Sequence, residues 1–289
     1  MKLRVGYLFF LPAFFSGCLG DETVNPSFAE QLAKDRVIID DYISSNSINN
    51  VLSDPENLGV KYKVNFTGPG IKPTLDDSIE VNYTIKLIPS GTEVEKSTAP
   101  VKVLLGKAVS GWQIGLPLIT RGSNVSLFVP SGWAFGTIQH NSIPPNSNLF
   151  YQIDLLKVIS QLSKDTIAIE NYLTVKGITN YVKDPSGLRY KITKTGAGDK
   201  PKSTSIVTFN YEGKLLKTET IFDKSLSPQR FKLENLIKGL QIGMLNMSVG
   251  SKATFYIPST LAYSYTGTQD GSVPPQSVTI FDIELTAIE

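Results

Sequence analysis

Few residues of this chain can do covalent or metal chemistry. It holds one cysteine, Cys18, and one histidine, His140. Mechanisms that pair a cysteine or serine nucleophile with histidine are nearly excluded by that count. One thiol and one imidazole are also too small a donor set for structural zinc, and a single thiol cannot close an internal disulfide. What remains is mainly aromatic rings and hydroxyls, with 14 phenylalanines and 12 tyrosines, whose chemistry would be burial and hydrogen bonding rather than the making of bonds. Taken singly each has a plainer reading. Phe231 and Phe281 would be buried in any small sheet domain, and an acid after an aromatic, as in Phe222-Asp223, is usually a turn residue.

The elements that must position these residues come from a chain of 289 residues, long enough for two modest domains. With 41% hydrophobic and 10% aromatic residues, each can bury a core. The 28 basic and 26 acidic side chains nearly cancel, and no Lys/Arg block forms a stripe for a phosphate backbone, so nucleic acid is not expected as a partner. The reading requires no cofactor and no metal.

The first segment reads as an address. Lys2 and Arg4 precede an 11-residue apolar run, Val5 to Phe15, which ends at Ser16-Gly17-Cys18. A run that short does not cross a hydrocarbon core of roughly 30 Å as a helix, so it reads as an export signal. The cysteine at its end resembles the bacterial lipobox, although Phe15 stands where an aliphatic is usual. Residues 1–17 are then the signal peptide and Cys18 the lipidated first residue. Removing that stretch takes away two basic residues and no acid, which leaves 26 of each sign. Attachment to a membrane would come from lipid rather than charge.

The rest of the chain carries one unit twice. Asp54-Pro55 recurs as Asp184-Pro185, Asn82-Tyr83 as Asn210-Tyr211, Gly111 as Gly239, Pro130 as Pro258 and Pro144-Pro145 as Pro274-Pro275, at offsets of 128 to 130 residues. A period this long indicates two globular domains rather than a solenoid. Each unit opens on an apolar helical stripe, Phe28 to Ile43 and Leu162 to Leu173, which packs on its own domain or at an interface. Ile79, Val81, Tyr83 and Ile85 alternate with polar residues, as do Val207, Phe209 and Tyr211, which is the period of a half-buried strand. Leu236, Ile237, Leu240, Met244 and Met247 recur at helical spacing, and so do Val109, Trp112, Leu116 and Ile119, where Pro117 should shorten or kink the helix.

In the second half Tyr211-Glu212-Gly213, Ile221-Phe222-Asp223, Phe231, Leu236-Ile237-Lys238-Gly239, Leu261-Ala262-Tyr263, Val273-Pro274-Pro275 and Phe281-Asp282-Ile283 follow one another in fixed order. This series resembles the FKBP-type peptidyl-prolyl isomerase domain. The first half resembles it more loosely, through Val109-Ser110-Gly111-Trp112, Ala134-Phe135-Gly136 and Ile143-Pro144-Pro145. The resemblance implies an α+β chain of two tandem FKBP-like domains, each a curved antiparallel half-barrel sheet wrapping a short helix and preceded by an amphipathic helix. The expected division is 18–75 tether and first helical segment, 76–159 degenerate domain, 160–202 second helical segment and 203–289 isomerase domain. It also implies activity on proline-containing unfolded or extended polypeptides. Tyr211, Phe222, Asp223, Ile237, Tyr263 and Phe281 would form the catalytic set, and Phe231, Leu236, Leu240 and Val273 the substrate wall. Leu240 stands where many relatives have tryptophan.

The first half departs at the positions that matter. Val94-Glu95 takes the place of the aromatic-Asp pair, Val101 replaces a wall aromatic, and Phe135 stands where Tyr263 offers a hydroxyl. Tyr83, Val109, Trp112, Ile143 and Tyr151 remain to line a degenerate pocket, and His140 either lines that pocket or, the reading favoured for a loop residue, is solvated. A lipid-anchored isomerase of the bacterial envelope, periplasmic or surface-facing, is therefore set against a non-catalytic, lipid-anchored binding or chaperone module. The amino-terminal reading has a direct check: mass spectrometry of the native protein should find acyl chains on Cys18. A mature chain starting elsewhere would refute it.

Overall fold

The computed structural model describes residues 26–289, and Cys18 with the signal segment lies outside them. The chain divides into two compact units that meet in sequence at Ser160 and Gln161. The first is α1 (Pro26–Ser45), β1 (Leu52–Ser53), β2 (Lys61–Phe66), β3 (Ser78–Ile88), β4 (Glu93–Lys96), β5 (Val101–Leu104), α2 (Ser110–Gly115), β6 (Asn124–Val129) and β7 (Asn148–Ile159). The second is α3 (Gln161–Val175), β8 (Val182–Lys183), β9 (Arg189–Lys194), β10 (Ile206–Leu215), β11 (Ile221–Lys224), β12 (Gln229–Lys232), α4 (Lys238–Met244), β13 (Lys252–Ile257) and β14 (Thr279–Ile288).

Both sheets have the same topology, β1-β2-β6-β7-β3-β4 and β8-β9-β13-β14-β10-β11, with β5 and β12 continuing the pairing of β3 and β10. Every pairing is antiparallel. The edge strands β1, β2, β8 and β9 lie ahead of the expected domain starts at 76 and 203, inside the segments read as helical. Their alternation is short and interrupted, and partners far along the chain, β6 and β13, make them sheet.

In each unit a short helix packs on one face of the sheet and a long one on the other. Leu240 and Met244 of α4 share a core with Phe209, Phe255, Ile257 and Phe281. That approach is close: a Cβ on Gly239 would sit 2.2 Å from the Ile257 side chain. The regular helix is shorter than the Leu236–Met247 spacing suggests, because Ile237 is extended (φ −58°, ψ 149°) and only caps it. In the first unit α2 passes at Leu116 into a 3-10 turn that carries Pro117, as proline's missing donor requires.

The long helices pack on their own units. Ile169 and Leu173 of α3 meet Tyr256, Val278 and Ile280 on the second sheet, and Ile39 of α1 meets Ile88 and Phe128 on the first. A buried carboxylate fastens each one. Asp165 accepts hydrogen bonds from the Ser259 amide (2.8 Å) and hydroxyl (2.5 Å), and Asp35 accepts the same pair from Ser131 (2.9 and 2.7 Å). Gln161 and Gln31 donate to the same two carboxylates from one helical turn earlier. Among the described residues no helix is long and apolar enough to cross a membrane.

Both tryptophans, Trp112 and Trp133, lie in the first unit, so their fluorescence reports on it alone. Asp35→Ala leaves the buried Ser131 hydroxyl without its acceptor and the Ser131 amide with Asn148 Oδ1 alone, and should cost about 1 to 3 kcal/mol in the urea transition followed by that signal. Asp35→Asn, which keeps an acceptor oxygen, should cost less.

Candidate active site

The second unit gathers the expected residues into one apolar cluster between α4 and the sheet. Tyr211, Leu236, Ile237, Leu240, Tyr263, Val273 and Phe281 are all buried in a single core cluster, with Phe222 and Phe231 packed against it. Phe222 meets Tyr263 edge-on at 6.0 Å between ring centroids and Phe281 at 5.6 Å, and Phe231 is 5.6 Å from Phe209. Phe222-Asp223 lies on β11 and not in a turn. Opposite it is Gly213, whose lack of a side chain makes room for the ring: a Cβ there would stand 2.7 Å from Phe222 Cζ and 3.0 Å from Phe281 Cε1.

The polar groups are few. Tyr211 Oη donates to Asp223 Oδ2 at 3.4 Å. Burial pushes the Asp223 carboxyl above its usual range, and the negative charge of Asp270 adds to the effect. The folded protein therefore carries the ionised form at a cost. The hydroxyls of Tyr211 and Tyr263 are pushed up by burial and then by Asp223, so both stay protonated and able to donate. The N–H of Ile237 makes no hydrogen bond among the described residues, while Gln241 Nε2 holds the carbonyl of Leu236 just before it at 2.6 Å. Ser225 pins the backbone of Tyr211 from both sides. Its hydroxyl accepts the Tyr211 N–H at 2.9 Å, and its own N–H reaches the Tyr211 carbonyl at 3.0 Å. Neither Gln241 nor Ser225 stands out in sequence, because a polar residue that supports a backbone looks like any other surface residue.

In the first unit Trp112, Ile143 and Tyr151 are together in one core, with Tyr83, Val109 and Phe135 packed against it. Four details revise the sequence reading. Strand register pairs Val207 with Phe231 and Ile79 with Val103, so Val103, not Val101, stands in the wall position, and Val101 is exposed at the sheet edge. Glu95 is no simple loss. Tyr83 Oη donates to it at 2.5 Å, which with burial drives the Tyr83 hydroxyl up to about 12, so the tyrosine-carboxylate pair survives. Ile85 stands where Gly213 does, buried, and fills the space that Phe222 takes in the other unit, while Val94 leaves room for it. Finally, the exposed ring of His140 stacks on Phe135 at 4.0 Å and 5°, so it is a solvated residue with a partner at the pocket rim. The first pocket also places polar atoms where the second has Leu240 and Phe281. Trp112 Nε1 and Tyr151 Oη are buried with no hydrogen-bond partner.

Two stretches of the chain, residues 70–156 and 198–286, match the family model of the FKBP-type peptidyl-prolyl cis-trans isomerases. The chain belongs to that family. It is similar to an FKBP-type isomerase, FkpA, of Aeromonas hydrophila, 42% identical over 144 residues, covering 45% of this chain and 53% of the relative. To FkpA of Escherichia coli it is 34% identical over 119 residues, 40% of this chain and 42% of the relative. It thus spans about half or less of the length of these relatives. A solved isomerase from Pseudomonas syringae aligns over 44% of this chain and 95% of its own, at 29% identity and a TM-score of 0.39. Each stretch matched by the family model lies in one of the two units, so both repeats are FKBP domains in an α+β arrangement.

The Gly213/Phe222 and Ile85/Val94 pairs should be coupled. Val94→Phe alone drives a ring into Ile85 and should destabilise the first unit by about 1 to 3 kcal/mol. Ile85→Gly alone opens a cavity and should cost about 2 to 5 kcal/mol. The double variant should cost clearly less than the sum in urea unfolding, and strict additivity would contradict the swap.

Proposed function

We propose that the second repeat is a working peptidyl-prolyl cis-trans isomerase that assists the folding of exported proteins, and that the first is a binding pocket with little or no turnover. The observation that carries this reading is a difference between like pockets. Only the second combines a Phe222-Phe281 aromatic wall with a rim hydroxyl, Tyr263, beside Asp223 and the free Ile237 N–H.

The barrier to be lowered is rotation about an Xaa-Pro bond, about 18 to 20 kcal/mol. Rotation breaks amide resonance and localises the nitrogen lone pair, which lessens the charge separation that water stabilises in the planar form. A dry pocket therefore favours the twisted amide, and rate comes from binding that state more tightly than the planar one. The proline ring sits among Leu236, Leu240, Phe231 and Phe281. Tyr263 Oη and the Ile237 N–H donate to substrate carbonyls. Asp223, held by Tyr211, lies beside the rotating carbonyl. No proton changes hands and no bond to the protein forms, so orientation and desolvation do the chemistry.

The first pocket keeps Tyr83, Glu95 and Trp112 and so retains the means to hold a chain, but Phe135 has no hydroxyl to donate. Attachment through an acylated Cys18 would put both pockets at a membrane surface in the bacterial envelope, where extended polypeptides emerge.

Proline isomerisation measured on the full chain tests this. Tyr263→Phe removes one donor to the twisted amide and should cost about 1 to 3 kcal/mol, or roughly 5- to 150-fold in kcat/KM. Asp223→Ala should also lower turnover with the fold intact, whereas Tyr83→Phe and Glu95→Gln in the first repeat should leave it within about two-fold. Activity absent in the wild type, against several residues before proline, would leave the binding-module reading in its place.

A further inference from the structure

The strand that carries Phe222 and Asp223 is the least supported part of the second site. β11 is four residues long and lies at the end of its sheet, paired with β10 alone among the described residues, and its register shifts between Gly213 and Lys214. One end of it is held where Ser225 and Tyr211 bond each other. The other end is the turn from β10, residues 216–220, and there the two repeats differ.

Backbone hydrogen bonds match the two turns residue by residue. The Leu87 N–H reaches the Thr92 carbonyl at 2.9 Å and the Gly91 N–H reaches the Leu87 carbonyl at 2.8 Å; Leu215 reaches Thr220 at 3.0 Å and Glu219 reaches Leu215 at 2.8 Å. Gly91 and Glu219 therefore hold one position, and both are left-handed, at φ 71° and 57°. Glycine is at ease there, whereas glutamate carries strain. The ends of the long helices correspond in the same way. The N–H of Asn46 bonds the Tyr42 carbonyl at 3.1 Å and that of Lys176 bonds the Tyr172 carbonyl at 2.9 Å, so Asn46 is the counterpart of Lys176. Asn46 turns back on its own helix and donates to the Tyr42 carbonyl from its side chain at 2.8 Å. Lys176 instead pairs with Glu219, Nζ to Oε1, at 2.5 Å. That Nζ lies 5.5 Å from the centre of the Tyr172 ring, which in turn meets Tyr256 of the sheet at 6.0 Å. Both members of the pair are particular to the second repeat, and the strained residue occurs where its partner does.

We propose that Lys176 and Glu219 are positioning residues for the isomerase site: their ion pair clamps the β10–β11 turn to the end of α3 and so fixes the strand that presents Phe222 and Asp223. This inference rests on the isomerase reading of the second repeat. Near its start the same helix holds the turn that leads to Tyr263, through Asp165 and Ser259. α3 is then a strut with a grip at each end, one on the segment leading to Tyr263 and one on the segment leading to Asp223. The separation of those two polar groups is set from the other face of the sheet. In the first repeat α1 has the first grip, Asp35 on Ser131, and lacks the second. An exposed ion pair contributes little to global stability. Its effect is local, on a short edge strand with a neighbour on one side only.

Two readouts on the full chain test this. Amide hydrogen exchange by NMR needs no activity: Glu219→Gln and Lys176→Gln should each speed exchange of the Leu215 N–H, which closes the turn on Thr220, about two- to five-fold and leave β13 and β14 unchanged. Proline isomerisation is the second. Each single variant should lower kcat/KM about two- to five-fold, and the double variant should fall no further than either. Raising the salt to about 1 M, where the pair is screened, should narrow the gap between the wild type and the double variant. Glu219→Gly separates positioning from stability. It installs the residue of the sister turn, so the urea midpoint read by circular dichroism should hold or rise while kcat/KM falls as in Glu219→Gln. Exchange at the turn that neither variant changes overturns the clamp, and full activity of Glu219→Gly overturns its bearing on the reaction. An inactive wild type whose turn still loosens in both variants would remove the isomerase reading and leave the clamp standing.

Discussion

A carboxylate taken out of water and given back its hydrogen bonds organises each repeat. Asp165 is buried between α3 and the turn after β13, where the Ser259 N–H and hydroxyl replace its hydration. An unpaired charge there would be costly, so the helix can occupy only the position that brings Asp165 to Ser259. The consequence reaches the pocket. The Ser259 carbonyl accepts the N–H groups of Ala262 and Ser264, on either side of Tyr263. The outer helix thus braces the turn that presents a donor on the opposite face of the sheet. Asp35 and Ser131 do the same beneath Phe135, which shows that the brace belongs to the scaffold and not to the chemistry.

On that shared scaffold the two pockets differ by compensated exchanges. Gly213 with Phe222 and Ile85 with Val94 fill the same volume from opposite strands, so either combination packs and a mixture does not. The hydrogen-bonding groups have been redistributed as well. The second unit has a hydroxyl at Tyr263 and carbon at Leu240 and Phe281. The first has carbon at Phe135 and polar atoms at Trp112 and Tyr151, which are buried without partners. Two FKBP domains of one chain can therefore share a fold and differ in what they do.

The electrostatics of the second pocket follow from the same economy of polar groups. Asp223 is only partly buried, yet burial outweighs the hydrogen bonds from the Lys224 N–H and the Tyr211 hydroxyl and leaves its carboxyl above the usual range. Its hydrogen bond from Tyr211 is long, at 3.4 Å, and leaves the carboxylate only partly compensated. The brace at Asp165 and the turn that Thr268 and Val273 close by two hydrogen bonds of 2.9 Å hold the chain on either side of Tyr263.

Much of this was legible in the chain. The 128- to 130-residue offset indicated two repeats, alternation marked the central strands β3 and β10, and one cysteine with one histidine nearly excluded mechanisms that pair a cysteine or serine nucleophile with histidine. The ordered aromatic landmarks of the second half meet in one core because burying rings in a small sheet domain leaves few arrangements for them. What the sequence could not decide were relations between residues distant along the chain. The edge strands β2 and β9 are strands only because β6 and β13 pair with them, and Val103 rather than Val101 takes the wall position because register, which moves every side chain to the other face when it slips by one, is set by partners. The survival of the Tyr83-Glu95 pair, the filling of the Phe222 site by Ile85 and the bracing of Tyr263 from Asp165 are likewise matters of distance across a fold. Composition and spacing carry the types of groups a chain can bring to a site, and close packing alone determines which of them meet.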